Sequence, residues 1–130
     1  MDGSIKQWNC RGLCNKYKEI QIFIKDYNPV AFCLQETFIP DDVSISFSNY
    51  SIHSFPAVVN NGKANGGCII MVHNDIAPNE VQLNSNLTAC AVTLSLHKKV
   101  TLCCVISRLV LPVTAGKWSF YLTSYLVHLF

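Results

Sequence analysis

Apolar residues recur at helical spacing between Asn15 and Asn28. Ile20, Phe23, Ile24 and Tyr27 fall at i, i+3, i+4 and i+7 and would share one helix face. Asn15 can cap such a helix, and Asn28-Pro29 ends it, because the residue before proline is pushed out of helical geometry. On either side the pattern changes. Ile5 to Asn9 reads as a short strand stopped at Cys10-Arg11-Gly12, where glycine permits a turn. Val30 to Leu34 is an unbroken apolar run, the pattern of a strand covered on both faces, as in a parallel sheet. Residues 5–36 are therefore expected to form a βαβ unit. With parallel strands and the usual right-handed crossover, Asn9 and Glu36 would end on one edge of the sheet.

Past that unit the β signals shorten. Tyr50 to Phe55 alternates, a polar loop runs through Asn60-Asn61-Gly62 to Gly66-Gly67, and Cys68 to Val72 is an apolar strand. In Ala89 to Leu96, Cys90, Val92, Leu94 and Leu96 share a face; His97-Lys98-Lys99 then turns into Val100 to Ile106, the pattern of an antiparallel hairpin. There is no internal repeat and no linker-like segment.

Composition adds a single globular domain, or part of one. Of 130 residues half are apolar, while 14% are charged against the roughly 25% of ordinary soluble domains. All eight carboxylates lie within residues 1–80, beside six Lys or Arg; residues 81–130 hold four Lys or Arg and no acid. Any carboxylate chemistry must therefore come from the first part of the chain. The net charge of +2 is too small to point to nucleic acid by itself. Seven cysteines, an odd number with no CxxC pair, fit a reduced intracellular protein, in nucleus or cytoplasm, better than a disulfide framework or a zinc site. No charged-then-apolar leader opens the chain. Trp118 to Phe130 is apolar but shorter than the ~20 residues of a membrane span, so no membrane partner is expected.

Asn9 and Glu36 are the candidate site residues, because α/β sheets place function where loops diverge at the carboxyl ends of strands. A carboxylate is a hard oxygen ligand suited to Mg²⁺, which is held by one or two carboxylates with water and phosphate oxygens, and an Asn could hydrogen-bond those waters or the phosphate. Spacing alone leaves open that Asn9 is a turn former and Glu36 a solvated strand end. Arg11 reads as a solvated turn residue, with a DNA phosphate contact as the other account. His53, His73 and His97 have no ligand spacing and read as structural or surface residues, and His128 as incidental.

Gln7-Trp8-Asn9-Cys10-Arg11-Gly12-Leu13, then Tyr27-Asn28-Pro29 leading into Cys33-Leu34-Gln35-Glu36-Thr37, resembles the opening of the endonuclease domain of LINE-type (non-LTR) retrotransposons, in the endonuclease/exonuclease/phosphatase superfamily. Asn65-Gly66-Gly67 and Leu83-Asn84-Ser85-Asn86-Leu87 extend the resemblance, which covers about residues 4–112 as a partial domain and leaves 113–130 as an unrelated apolar tail. Leu34-Gln35-Glu36-Thr37 is its most specific element. The resemblance implies an α/β fold, the α+β sandwich of this superfamily, here truncated to a βαβ start followed by mainly antiparallel strands. It implies DNA as partner, Mg²⁺ as cofactor, and Glu36 and Asn9 as the catalytic residues at the metal, Glu36 binding it and Asn9 beside it in the metal site. Phosphodiester hydrolysis would follow, with an Asp and a His managing protons. Those later motifs are missing: Val110-Leu111-Pro112-Val113 stands where a Tyr-x-Pro-Pro-like segment is expected, and no acid follows Glu80. The expectation is thus the front part of a target-nicking DNA endonuclease, broken off by a change of reading frame or gene boundary, inactive as written and prone to aggregate. The alternatives are a non-catalytic binding fragment and a superfamily phosphatase acting on lipid or inositol phosphates.

Overall fold

The computed structural model describes residues 1–84, 86, 88–113 and 117–125, so Ser85, Leu87 and His128 lie outside the described residues. The chain starts as the apolar pattern requires. Strand β1 (Ile5–Asn9) leads into helix α1 (Leu13–Tyr27), and β2 (Ala31–Gln35) returns parallel to β1, with Ile5 opposite Ala31 and Asn9 opposite Gln35. The helix starts two residues before Asn15, which is therefore not its cap. Gly12 holds that position with no side-chain hydrogen bond. Orphan amides at a helix start need acceptors, and here the chain supplies carbonyls: Gly12 N–H donates to Glu36 O at 2.8 Å and Leu13 N–H to Thr37 O at 2.9 Å. At the other end Asn28 takes the left-handed conformation at φ 43° and its N–H donates to Ile24 O, which closes the helix before Pro29.

Then come β3 (Tyr50–Phe55), a small hairpin of β4 (Val58–Asn60) and β5 (Lys63–Asn65), and β6 (Cys68–His73). β6 inserts antiparallel between β2 and β3, so the first sheet runs β1-β2-β6-β3. Only the β1–β2 pair is parallel. The apolar run at β2 thus marks a buried central strand, not an all-parallel sheet. The second sheet is antiparallel throughout, β10-β9-β8-β7, from β7 (Pro78–Val81), β8 (Thr88–Ser95), β9 (Lys99–Val113) and β10 (Lys117–Tyr125). β9 runs across the boundary expected at residues 112 and 113, and β10 continues its sheet.

Three layers result: helix, sheet, sheet. Alternation along β2 divides its side chains between two cores. Phe32 and Leu34 join Leu13, Ile20, Ile24, Ile69 and Met71 under the helix, while Ala31 and Cys33 join Ile70, Val72, Val92, Leu94 and Leu102 between the sheets. Each large side chain so buried contributes about 1.5–3 kcal/mol. Tyr27 departs from the expected apolar face. It is half exposed, its ring tilted against Phe23 at 4.6 Å with the Lys6 ammonium over it. Among the described residues the architecture is mixed α and β, mainly antiparallel strands with one helix. No helix among the described residues is long and apolar enough to cross a membrane.

Candidate functional site

Two loops and a glycine pair meet at the carboxyl ends of β1 and β2. Asn9 closes β1 opposite Gln35, Cys10 N–H donates to Gln35 O at 3.1 Å, and Glu36 follows immediately. Both sequence-derived site residues therefore stand at one edge of the first sheet. The segment after Glu36 is held from the other side too, since Thr37 N–H donates to Gly67 O at 3.2 Å and Phe38 N–H to Gly66 O at 3.0 Å.

The backbone here is unusual. Arg11, Glu36 and Phe38 have φ of 46°, 51° and 55°, a left-handed conformation that costs an ordinary residue about 1–2 kcal/mol. Such positions persist where surrounding bonds over-determine them, and the carbonyl and amide partners of residues 36–38 do that. The conformation turns Glu36 inward: it is 4% exposed, unlike the solvated strand end that its spacing also allowed. Its Oε2 lies 3.7 Å from Nε of Arg11, whose side chain is 78% exposed. A guanidinium so free in solvent can swing aside at little cost.

The residue after Glu36 borders a cavity that neither Glu36 nor Asn9 lines. Thr37 is buried, and its Oγ1 has no hydrogen-bond partner among the described residues. A cavity of about 260 Å³ opens beside it, with Asp41, Ser44 and Ser54 in its walls. Thr37 belongs to the Leu34-Gln35-Glu36-Thr37 motif, so the motif marked it without giving it a role. Among the described residues no three His, Cys, Asp or Glu side chains cluster as a metal cage. A single buried carboxylate suits Mg²⁺ in kind, because that cation keeps most of its waters.

The histidines are occupied elsewhere. His73 pairs with Tyr50 at the end of β6 that lies level with Val30, so about 20 Å of strand separates its level from Glu36. His53 sits on β3, Nδ1 at 2.8 Å from Glu80 Oε1 and Nε2 at 3.2 Å from Ser51 Oγ, and fastens the edge of one sheet to β7 of the other. Cys10 lies beneath the site. Burial pushes its thiol up to about 11, so it serves as a neutral core residue whose Sγ reaches Gln35 O at 3.3 Å.

Comparison with known protein families gives no match, and no curated protein matches the chain.

Proposed function

We propose that this chain carries the cation-binding part of a Mg²⁺-dependent DNA endonuclease site of the endonuclease/exonuclease/phosphatase type, and that it does not hydrolyse DNA as it stands. The observation that supports this reading is Glu36, a buried carboxylate held in left-handed backbone at the carboxyl edge of a parallel strand pair. The sequence resemblance implies a Mg²⁺ ligand at that residue.

Glu36 would hold the cation, and Asn9, at the end of the adjacent strand, would hydrogen-bond a metal water or a phosphate oxygen. Bound Mg²⁺ supplies Lewis-acid stabilisation of charge growing on the phosphate. Arg11 pairs with Glu36 in the free protein and would be released when a cation takes the carboxylate. Proton transfer is the missing part. His53 is engaged with Glu80, His73 lies at the far end of the sheet, and no acid follows position 80. Loss of single members of such catalytic groups already costs orders of magnitude in rate.

The test has two arms. Calorimetric titration with Mg²⁺ or Mn²⁺ should show binding that Glu36→Gln abolishes while the circular dichroism spectrum stays unchanged. Supercoiled plasmid incubated with the pure chain and Mg²⁺ should stay supercoiled. Cation binding untouched by Glu36→Gln, or plasmid relaxation lost in that variant, would refute the first or the second half of the proposal.

A further inference from the structure

Sulfur joins the two sheets in their shared core. Cys68 opens β6 in the first sheet and Cys90 lies on β8 in the second, and their Sγ atoms are 3.3 Å apart. Cys104, opposite Cys90 in the β8–β9 register, stands behind them. Its Sγ accepts from Gln35 Nε2 at 3.3 Å, and its carbonyl oxygen lies 3.6 Å from the Cys68 sulfur. Cys68 and Cys104 are fully buried. Cys90 is half-buried and lines a surface cavity of about 190 Å³, with His53 and Glu80 among its walls.

We propose that Cys68 and Cys90 form a peroxide-responsive thiol pair that closes to a disulfide between the two sheets. A disulfide needs its sulfurs about 2.05 Å apart, so closure asks for an approach of only about 1.3 Å. The two residues come from facing sheets and are 22 positions apart in the chain, so the bond is a staple across the core and not a local link. Access distinguishes the two sulfurs: Cys90 is half-buried and lines the surface cavity, so it is the one an oxidant meets first, and the fully buried Cys68 stands behind it as the resolving thiol.

Hydrogen peroxide reaches Cys90 through the cavity that this residue lines. The Cys90 sulfur, as its thiolate, attacks one peroxide oxygen, the O–O bond breaks, and the expelled hydroxide leaves as water with one thiol proton. The resulting sulfenic acid is attacked by the other sulfur: the S–O bond breaks as the S–S bond forms, and the second hydroxide leaves as water with the second proton. Two thiols are oxidised by two electrons and one peroxide is reduced to two waters. Cys68 directly follows Gly67 and faces Gln35 in register, so the new bond lies one residue from the support of the Glu36 loop.

The experiment uses the full chain carrying Cys14→Ser, which removes the exposed thiol that would otherwise link molecules together. It is treated with one equivalent of hydrogen peroxide, capped with N-ethylmaleimide, digested and mapped by mass spectrometry. The expected product joins the Cys68 and Cys90 peptides, persists in Cys104→Ser and disappears in Cys90→Ser. Recovery of Cys68 and Cys90 as maleimide adducts, or as sulfinic acids without a link, would overturn the proposal. So would a link that forms as fast in concentrated urea as in the folded chain, because the native approach of the two sulfurs would then be irrelevant.

Discussion

Gly67 and Thr37 approach so closely that a β-carbon on Gly67 would lie 2.7 Å from the Thr37 hydroxyl oxygen and 3.1 Å from the Ala57 nitrogen. Gly67 also has φ +81°, where any L side chain is strained. Gly67→Ala is therefore expected to destabilise the fold by about 2 kcal/mol or more, conformation and overpacking combined. The Glu36 loop should shift with it. Chemical denaturation gives the first quantity and Mg²⁺ titration the second; an alanine variant with unchanged midpoint and unchanged cation affinity would contradict both.

Arg11 and a cation compete for the same carboxylate. Because the Arg11 side chain is 78% exposed, its pairing with Glu36 stabilises by no more than about 1 kcal/mol. Arg11→Ala should thus leave the denaturation midpoint almost unchanged and raise Mg²⁺ affinity by up to about fivefold. Weaker cation binding in this variant would mean that Arg11 organises the site and does not compete for it.

Tyr50 ties β3 to the end of the helix segment, its hydroxyl donating to Pro29 O at 2.7 Å. Burial, with a smaller effect from Asp2, pushes its phenol up to about 12 from an ordinary value near 10. The folded state therefore holds a proton that the unfolded chain releases first. This contribution is complete below about pH 10 and is lost as pH rises toward 12. Tyr50→Phe should lower stability at neutral pH by about 1 kcal/mol and remove that alkaline loss, as read from denaturation midpoints across the alkaline range.

β1 is an outer strand of its sheet, and beside it a groove of about 550 Å³ is lined by Trp8, Ile22, Phe23, Tyr27 and Phe32. Ile22 is 61% exposed. An open strand edge beside apolar surface favours association. Sedimentation should show concentration-dependent self-association, reduced by Ile22→Lys; a monodisperse chain at high concentration would argue that this edge is sufficiently protected.

Much of the first sheet was legible because its signals are local. The continuous run at 31–34 and the helical spacing of Ile20, Phe23 and Ile24 each reflect one-dimensional periodicity imposed by burial. The hairpin across Asn61-Gly62 shows in sequence only as a polar loop. Both residues have positive φ, as the tight turns favoured by Asn-Gly require, but the strands on either side are only three residues long. The Asn15 cap failed for a different reason. The acceptors for the first helical amides come from residues 36 and 37, distant in sequence, and no local rule contains them. The burial of Glu36 escaped for the same cause, because its left-handed backbone is fixed by Gly12, Gly66 and the chain around them. β7 starts with proline and shows no alternation, so nothing marked it as a strand.

The place of β6 between β2 and β3 also has a consequence for the order of assembly. During synthesis β1, α1 and β2 emerge first and can pair by local contacts, but β3 emerges into a sheet with no vacant neighbour of its own. It must wait until β6 arrives and lies beside β2. Until then β2, buried on both faces in the finished fold, presents one open edge to any passing strand. The interval between residues 35 and 68 is thus the stretch of synthesis in which mispairing has its opportunity.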